Sequence, residues 1–203
     1  MLHETGEAHT EGRAGQPGTR MSPQSCAHEG VVMTTENALR AYVCLGSNCD
    51  RASATLQQAR SALAALPDMR AGRVSPVYRT EPQGYAEQPW FHNQVLELLP
   101  GASWRPCRLV DALLAVEADL GRVRSPDPAL RFGPRVIDAD LLLFGRENSA
   151  HPHCMVPHPR LRERAFALIP LLDVAPRAEI DGRPASWWLQ RLSYRVEGDR
   201  IFQ

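Results

Sequence analysis

The chain has 203 residues, 43% of them hydrophobic, and its 23 cationic residues balance 23 acidic ones. That is apolar material for one ordinary core, and a net charge of zero excludes the broad positive field of non-specific nucleic-acid or anionic-membrane binders. Every cation is Arg; without Lys there is no Walker A lysine, no Schiff base and no pyridoxal linkage, so phosphate handling falls to Arg, backbone amides or metal.

Residues 1–36 are expected to form a disordered tail and 37–203 a single domain. Up to Met33 the chain holds Gly6, Gly12, Gly15, Gly18 and Gly30 and no Phe, Trp or Tyr, too little apolar surface to offset ordering. It lacks the apolar stretch of a secretory signal, and Met21 and Met33 are alternative starts. No apolar run reaches the roughly 18 residues of a membrane span, and the five Cys (26, 44, 49, 107 and 154) are odd in number and irregular in spacing. They read as reduced, scattered thiols of a cytoplasmic protein.

From Ala41 the pattern tightens. Ala41-Tyr42-Val43-Cys44-Leu45, closed by Gly46-Ser47-Asn48, predicts a strand and turn. Leu56, Ala59, Leu63 and Leu66 form a helical stripe stopped by Pro67. Residues 69–79 predict a strand that Pro76 demotes in part to an edge or bulge, 80–90 a loop, and Phe91 to Leu99 the next strand. Leu109, Ala112, Leu113, Val116 and Leu120 mark a second helix with Gly121 as its stop. An Arg-, Pro- and Gly-rich loop over 122–134 precedes an apolar strand from Val136 to Phe144. Strand, helix, strand, strand, helix, strand is the order of an α+β ferredoxin-like βαββαβ sandwich, an antiparallel sheet with helices on one face. A C-terminal helical extension follows, around 160–172 and 184–192, broken by an Asp181-Gly182 turn.

Two carboxylates interrupt the last strand. Side chains alternate along a strand, so Asp138 and Asp140 share a face roughly 6–7 Å apart. Flanked by Val136 and Leu142, they repel one another and resist desolvation unless a hard cation such as Mg²⁺ lies between them; a solvated strand face with two ordinary Asp is the plainer reading. The loop before them holds Arg122, Arg124, Arg131 and Arg135, forks of donors suited to phosphate oxygens. Arg and Mg²⁺ converging on one place is the usual equipment of phosphoryl transfer. His158 and Arg164 lie in Val156-Pro157-His158-Pro159-Arg160 and just after it. His151, His153 and Cys154 raise zinc, but their spacing matches no zinc signature, and an exposed loop is the preferred reading. Phe91 and Asn93 share a strand face, an aromatic and an amide able to read a flat heterocycle or simply to pack in the core.

Taken in order, Leu45-Gly46-Ser47-Asn48, Tyr78-x-Thr80-Glu81-Pro82-x-Gly84, Gln88-Pro89-x-Phe91-x-Asn93, Glu117-x-x-x-Gly121-Arg122-x-Arg124, Phe132-Gly133-Pro134-Arg135-x-x-Asp138-x-Asp140 and Pro157-His158-Pro159-Arg160-x-x-x-Arg164-x-Phe166 resemble the 6-hydroxymethyl-7,8-dihydropterin pyrophosphokinase family of folate biosynthesis, from about Ala41 to Pro176. The resemblance implies transfer of pyrophosphate from ATP to the pterin, with AMP leaving. It implies two Mg²⁺ ions on Asp138 and Asp140, Arg122 and Arg135 on the phosphates, and Glu117, Arg124, His158 and Arg164 around ATP. Thr80, Gln83, Phe91, Asn93 and Phe166 would frame the pterin, the two Phe rings sandwiching it. Departures are Cys49 where the family often has Gly, Phe132 where Trp is common, and a long link from Pro100 to Pro106.

ATP and the pterin are then the only partners expected, with no nucleic acid and no membrane, for a monomer. A non-catalytic ferredoxin-like binding module, such as an RNA binder, would need a basic or aromatic-rich sheet face, which 6% aromatic content and an acidic last strand oppose. A sugar-nucleotide transferase with an Asp-x-Asp metal site would need a larger nucleotide-binding domain.

Overall fold

The computed structural model describes residues 38–82, 87–124 and 133–203. The expected tail, Gln83, Arg131 and Phe132 lie outside the described residues, as do the middles of both Gly- and Pro-rich loops.

Alternation sorts the central strands onto two faces. β1 (Ala41–Ser47) pairs antiparallel with β4 (Phe91–Pro100) and with β5 (Asp138–Phe144). Val43, Leu45, Leu96, Leu98, Ala139 and Leu141 point to one side, where α1 (Ala52–Ala64) and α2 (Pro106–Asp119) cover them with Leu56, Ala59, Leu63, Leu109 and Leu113. Cys44, Val95 and Leu142 point to the other, under α3 (Ala165–Val174) and α4 (Ala185–Leu189). The architecture is a mixed α/β fold with helices on both faces. The expectation of helices on one face is corrected: α1 and α2 satisfy it, but α3 is apolar nearly all round, as a helix that packs onto the second face must be.

The strand expected over 69–79 is two strands, β2 (Met69–Val74) and β3 (Tyr78–Thr80), both antiparallel to β4. Pro76 brings no N–H, and the break beside it is held by Ser75, whose N–H donates to Val95 O and whose Oγ accepts from Val95 N, each at 3.0 Å. After α3 come the short pair β6 (Glu179–Ile180) and β7 (Arg183–Pro184), turned at Asp181 and Gly182, both at positive φ. A hairpin, β8 (Arg195–Glu197) and β9 (Arg200–Phe202), then extends the sheet by pairing β9 parallel to β3. The sequence pattern does not announce this hairpin. The sheet order is β5-β1-β4-β3-β9-β8, with β2 also on β4.

Two of the thiols expected to be reduced are not. Cys107, in the first turn of α2, and Cys154 form a disulfide across a sequence separation of 47, while Cys44 and Cys49 are free. Spacing in sequence says nothing of this pair, because only the tertiary fold brings α2 against the 145–156 segment. Among the described residues, no helix is long and apolar enough to cross a membrane.

Candidate active site

Sheet register builds one row across three strands. Asp138 stands opposite Gly46, and Gly46 opposite Asn93; two residues along, Asp140 stands opposite Cys44. The Asp pair and Asn93 therefore share the face that Cys44 and Leu142 turn to α3, at the end of the sheet. Gly46 is required there: a Cβ would meet Asn93 Oδ1 at 2.6 Å. Asn93 is buried and donates to Thr80 Oγ1 at 2.6 Å, which fixes which way its amide faces.

A cavity of about 210 Å³ opens over this row, lined by Cys44, Gly46, Thr80, Glu81, Phe91, Asn93, Arg135, Asp138, Asp140, Arg160, Arg164 and Phe166. Its wall combines an amide, a hydroxyl and two phenyl rings with three carboxylates and three guanidiniums. Arg135 lies over the Phe91 ring at 5.7 Å and Arg164 over the Phe166 ring at 5.4 Å, so each aromatic is tied to one of the wall's cations.

The carboxylates are neutralised by Arg. Asp138 accepts from Arg135 at 2.5 Å through one oxygen and from Arg122 through the other. Burial opposes ionisation of Asp138, but Arg135 and Arg122 outweigh it and hold its pKa below the usual carboxylate range. Asp140 accepts from Arg164 at 3.1 Å, with His158 Nε2 at 3.9 Å. The repulsion inferred from the Asp-x-Asp spacing is thus already relieved by guanidiniums. Arg164 keeps a further donor: its Nε is buried without a hydrogen-bond partner. Burial, opposed by Asp140 and reinforced by Arg164, lowers the His158 pKa and keeps the imidazole neutral at pH 7. Its Nδ1 accepts from the Arg160 N–H at 3.1 Å.

Among the described residues the cavity wall does not include Glu117, Arg122, Arg124 or His158. Glu117 is 2% exposed and accepts from Arg122, Arg124 and the Ala139 N–H, the last at 2.7 Å between the two Asp. Burial raises its pKa despite the guanidiniums. It braces β5 and the Arg pair from the α2 side. The Gly121 turn makes this possible: at φ +89° it ends α2 and brings the Arg122 N–H back to Glu117 O at 2.9 Å.

Sequence reasoning left Arg160, Glu81, Gly46, Cys44 and Asn48 without roles, although all but Cys44 sit in the quoted motifs. Asn48 is the most connected. Its Nδ2 donates to Gln88 Oε1 at 3.0 Å and Pro89 O at 3.2 Å, and its Oδ1 accepts the Arg135 N–H at 2.8 Å. One buried amide thus joins the ends of both loops that flank the cavity.

A family model described as 7,8-dihydro-6-hydroxymethylpterin-pyrophosphokinase matches residues 42–176. A Pseudomonas aeruginosa protein named 2-amino-4-hydroxy-6-hydroxymethyldihydropteridine pyrophosphokinase is 44% identical over 145 residues, 71% of this chain and 86% of the relative. A Bacillus subtilis protein of the same name is 37% identical over 145 residues, 71% of this chain and 83% of its own. Among solved structures, wild-type Plasmodium falciparum HPPK-DHPS superposes with a TM-score of 0.54 at 12% identity, over 81% of this chain and 50% of that one. An HPPK-DHPS structure in complex with substrates gives 0.53 at 12% identity, over 75% of this chain and 43% of that one. The chain spans half or less of those two solved proteins, and at such identity the likeness concerns the fold alone.

Proposed function

The chain belongs to the 7,8-dihydro-6-hydroxymethylpterin-pyrophosphokinase family, and from that premise we propose that the cavity over β1, β4 and β5 is where it transfers pyrophosphate from ATP to 6-hydroxymethyl-7,8-dihydropterin. The reaction is a step of folate biosynthesis. The hydroxymethyl oxygen bonds to the β-phosphorus, the bond from that phosphorus to the α,β-bridging oxygen breaks, AMP departs, and loss of the hydroxyl proton leaves the pterin diphosphate.

The observation that carries the assignment is that one cavity brings an oriented amide and two aromatic rings together with an aspartate pair and three guanidiniums. Thr80, Phe91, Asn93 and Phe166 frame the pterin, Asn93 reading its polar edge with an amide that Thr80 has oriented. Gln83 joins them by resemblance. Arg135 engages the transferred phosphates directly. Arg122 acts on them after leaving Asp138 or through its hold on that carboxylate. Arg164, with its orphaned Nε, and Arg160 take further ATP oxygens. His158 and Arg124 contribute at the ATP side, while Glu117 positions Arg122 rather than meeting nucleotide.

Asp138 and Asp140 fit Mg²⁺: two hard oxygen donors on one strand face, both open to the cavity. They would hold the two ions implied by the family resemblance, and the metal would supply charge neutralisation on the triphosphate. With Asp138 holding a metal ion, the Arg122 and Arg135 groups now paired with it would be available to phosphate oxygens. The fold reading is ferredoxin-like, supported by the β5-β1-β4-β3 order with α1 and α2 on one face. A monomer acting in the cytoplasm completes the proposal.

The test is incubation with Mg²⁺-ATP and the hydroxymethyl dihydropterin. Equimolar AMP and pterin diphosphate are expected; ADP as the product, or no pterin-dependent turnover, overturns the reading.

A further inference from the structure

At the N-terminal end of α2, two sulfurs and an imidazole converge from two distant segments. Cys107 belongs to the first turn of α2; His151 and Cys154 belong to a turn whose ends are clasped by Ser149 and Val156, with N–H donations to each other's carbonyls at 2.8 and 3.1 Å. One ligand atom from each of Cys107, His151 and Cys154 lies within 4.8 Å of the others. Tetrahedral zinc holds such atoms roughly 3.3–3.8 Å apart, given bonds of about 2.3 Å to sulfur and about 2.0 Å to nitrogen. Cys107 Sγ lies 4.0 Å from His151 Nδ1.

We propose that Cys107, Cys154 and His151 form a zinc site in the reduced protein, with water in the fourth place. Two thiolates and an imidazole are the donors zinc prefers over Mg²⁺ or Ca²⁺, so the site does not compete with the acidic pair for its metal. In the structure the two sulfurs are bonded to each other. A disulfide has no use for an imidazole beside it, whereas the metal site does. The surroundings are already ordered for a ligand role: the Cys154 N–H donates to His151 O at 2.9 Å, and Ser149 Oγ lies 3.9 Å from Cys154 Sγ and accepts the His151 N–H at 3.3 Å. Nδ1 of His151 receives the His153 N–H at 3.3 Å, a long contact that a metal bond replaces, and His153 itself is held away by Asp111 at 2.7 Å.

The two states interconvert with balanced chemistry. A pair of low-molecular-weight thiols gives two electrons and two protons to the Cys107–Cys154 disulfide and leaves as its own disulfide. Each freed thiol then loses its proton as its Zn–S bond forms. The metal fastens the turn that runs straight into Pro157 and His158 onto α2, whose far end carries Glu117.

The experiment uses the full chain, reduced, stripped of metal with a chelator and kept in excess Mg²⁺, titrated with Co²⁺ and then Zn²⁺. Expected is one Co²⁺ per chain with the near-ultraviolet thiolate charge-transfer band of a sulfur-bound metal, displaced by one Zn²⁺. The band should vanish in Cys107→Ser and in Cys154→Ser and fall at least ~10-fold in apparent affinity in His151→Ala, with pterin turnover reporting that each variant is folded. Overturning results are a reduced wild type whose thiols are free but show no thiolate–Co²⁺ band, and a band unchanged by His151→Ala. A chain that forms the disulfide yet takes up no metal after reduction likewise refutes the site.

Discussion

Arg135 is held at two points before any substrate arrives: its N–H donates to Asn48 Oδ1 and its guanidinium to Asp138. A fork fixed in this way and aimed at charge that grows during transfer lowers the barrier more than it tightens ATP. Arg135→Ala is expected to slow single-turnover AMP release by roughly 10²–10⁴, with a much smaller loss in an ATP-binding titration. Arg135→Lys should recover only part of the rate, because a point charge cannot make a bidentate contact. Collapse of affinity with an undiminished rate at saturation would make Arg135 a binding residue instead. For Asp138 the structure reverses an expectation. Two close carboxylates read from sequence suggest that removing one leaves the apo protein as stable or more so. Two guanidiniums share Asp138, however, so Asp138→Ala removes an ion pair from each. Activity should fall by at least ~10³ and apo stability by about 1–3 kcal/mol in urea unfolding, where unchanged stability would show that the ion pairs contribute nothing. His158 sets a pH dependence. Its folded pKa is depressed, so the unfolded chain takes up the proton first; this contribution is intact above about pH 6.5 and lost as pH falls through the folded value. His158→Gln should flatten the stability profile between about pH 7 and pH 5, and an unaltered slope would assign it to other groups.

At the scale of elements, the helix stop at Gly121 links sequence punctuation to the site. The position is left-handed and nothing lies within 4 Å of a would-be Cβ, so Gly121→Ala probes backbone strain alone. It should cost about 1 kcal/mol and lower activity beyond what stability explains, because Arg122 follows the turn. Asn, which tolerates this conformation, should cost less. An Ala variant with full melting temperature and rate would show that the turn does not place Arg122. The stripe Leu56, Ala59, Leu63 and the alternation along β1 and β5 were legible for the same reason as this stop: each is a local periodicity that one apolar face imposes. The Asp pair was legible as sharing a face by the same alternation. Two of its Arg partners were not, because Arg122 and Arg164 reach it from a helix end and from the edge of α3, and no spacing encodes those approaches.

At the scale of the molecule, the C-terminal hairpin closes what the sequence pattern left open. β9 lies along β3 at Thr80, and Gln203 accepts the Ala165 N–H at 2.7 Å at the start of α3 and donates to Glu163 O at 2.6 Å. Removing residues 193–203 should therefore lower the melting temperature by several degrees and weaken pterin binding, read by thermal unfolding and a pterin titration. An unchanged melting temperature would mean the added strand does not support the edge. For the opposite end we expect the reverse. A chain starting at Met33 should keep its melting temperature and activity, since residues 1–32 bring no aromatic and little apolar surface, and a loss of several degrees would contradict this.

The sequence by itself determined the order of strands and helices from Ala41 to Phe144 apart from the split of the 69–79 strand, the shared face of Asp138 and Asp140, and the family, because periodicity, punctuation and ordered motifs are local properties of the chain. Tertiary structure decided which residues meet. Register across β5, β1 and β4 put Asp138, Gly46 and Asn93 in one row; the Gly121 turn sent Arg122 onto Asp138 rather than onto the cavity wall; Asn48 joined two loops; and α2 met the 149–156 turn to pair Cys107 with Cys154. Each is a contact between segments 16 or more residues apart, made by packing two cores on one sheet, and side-chain spacing along the chain carries no record of it.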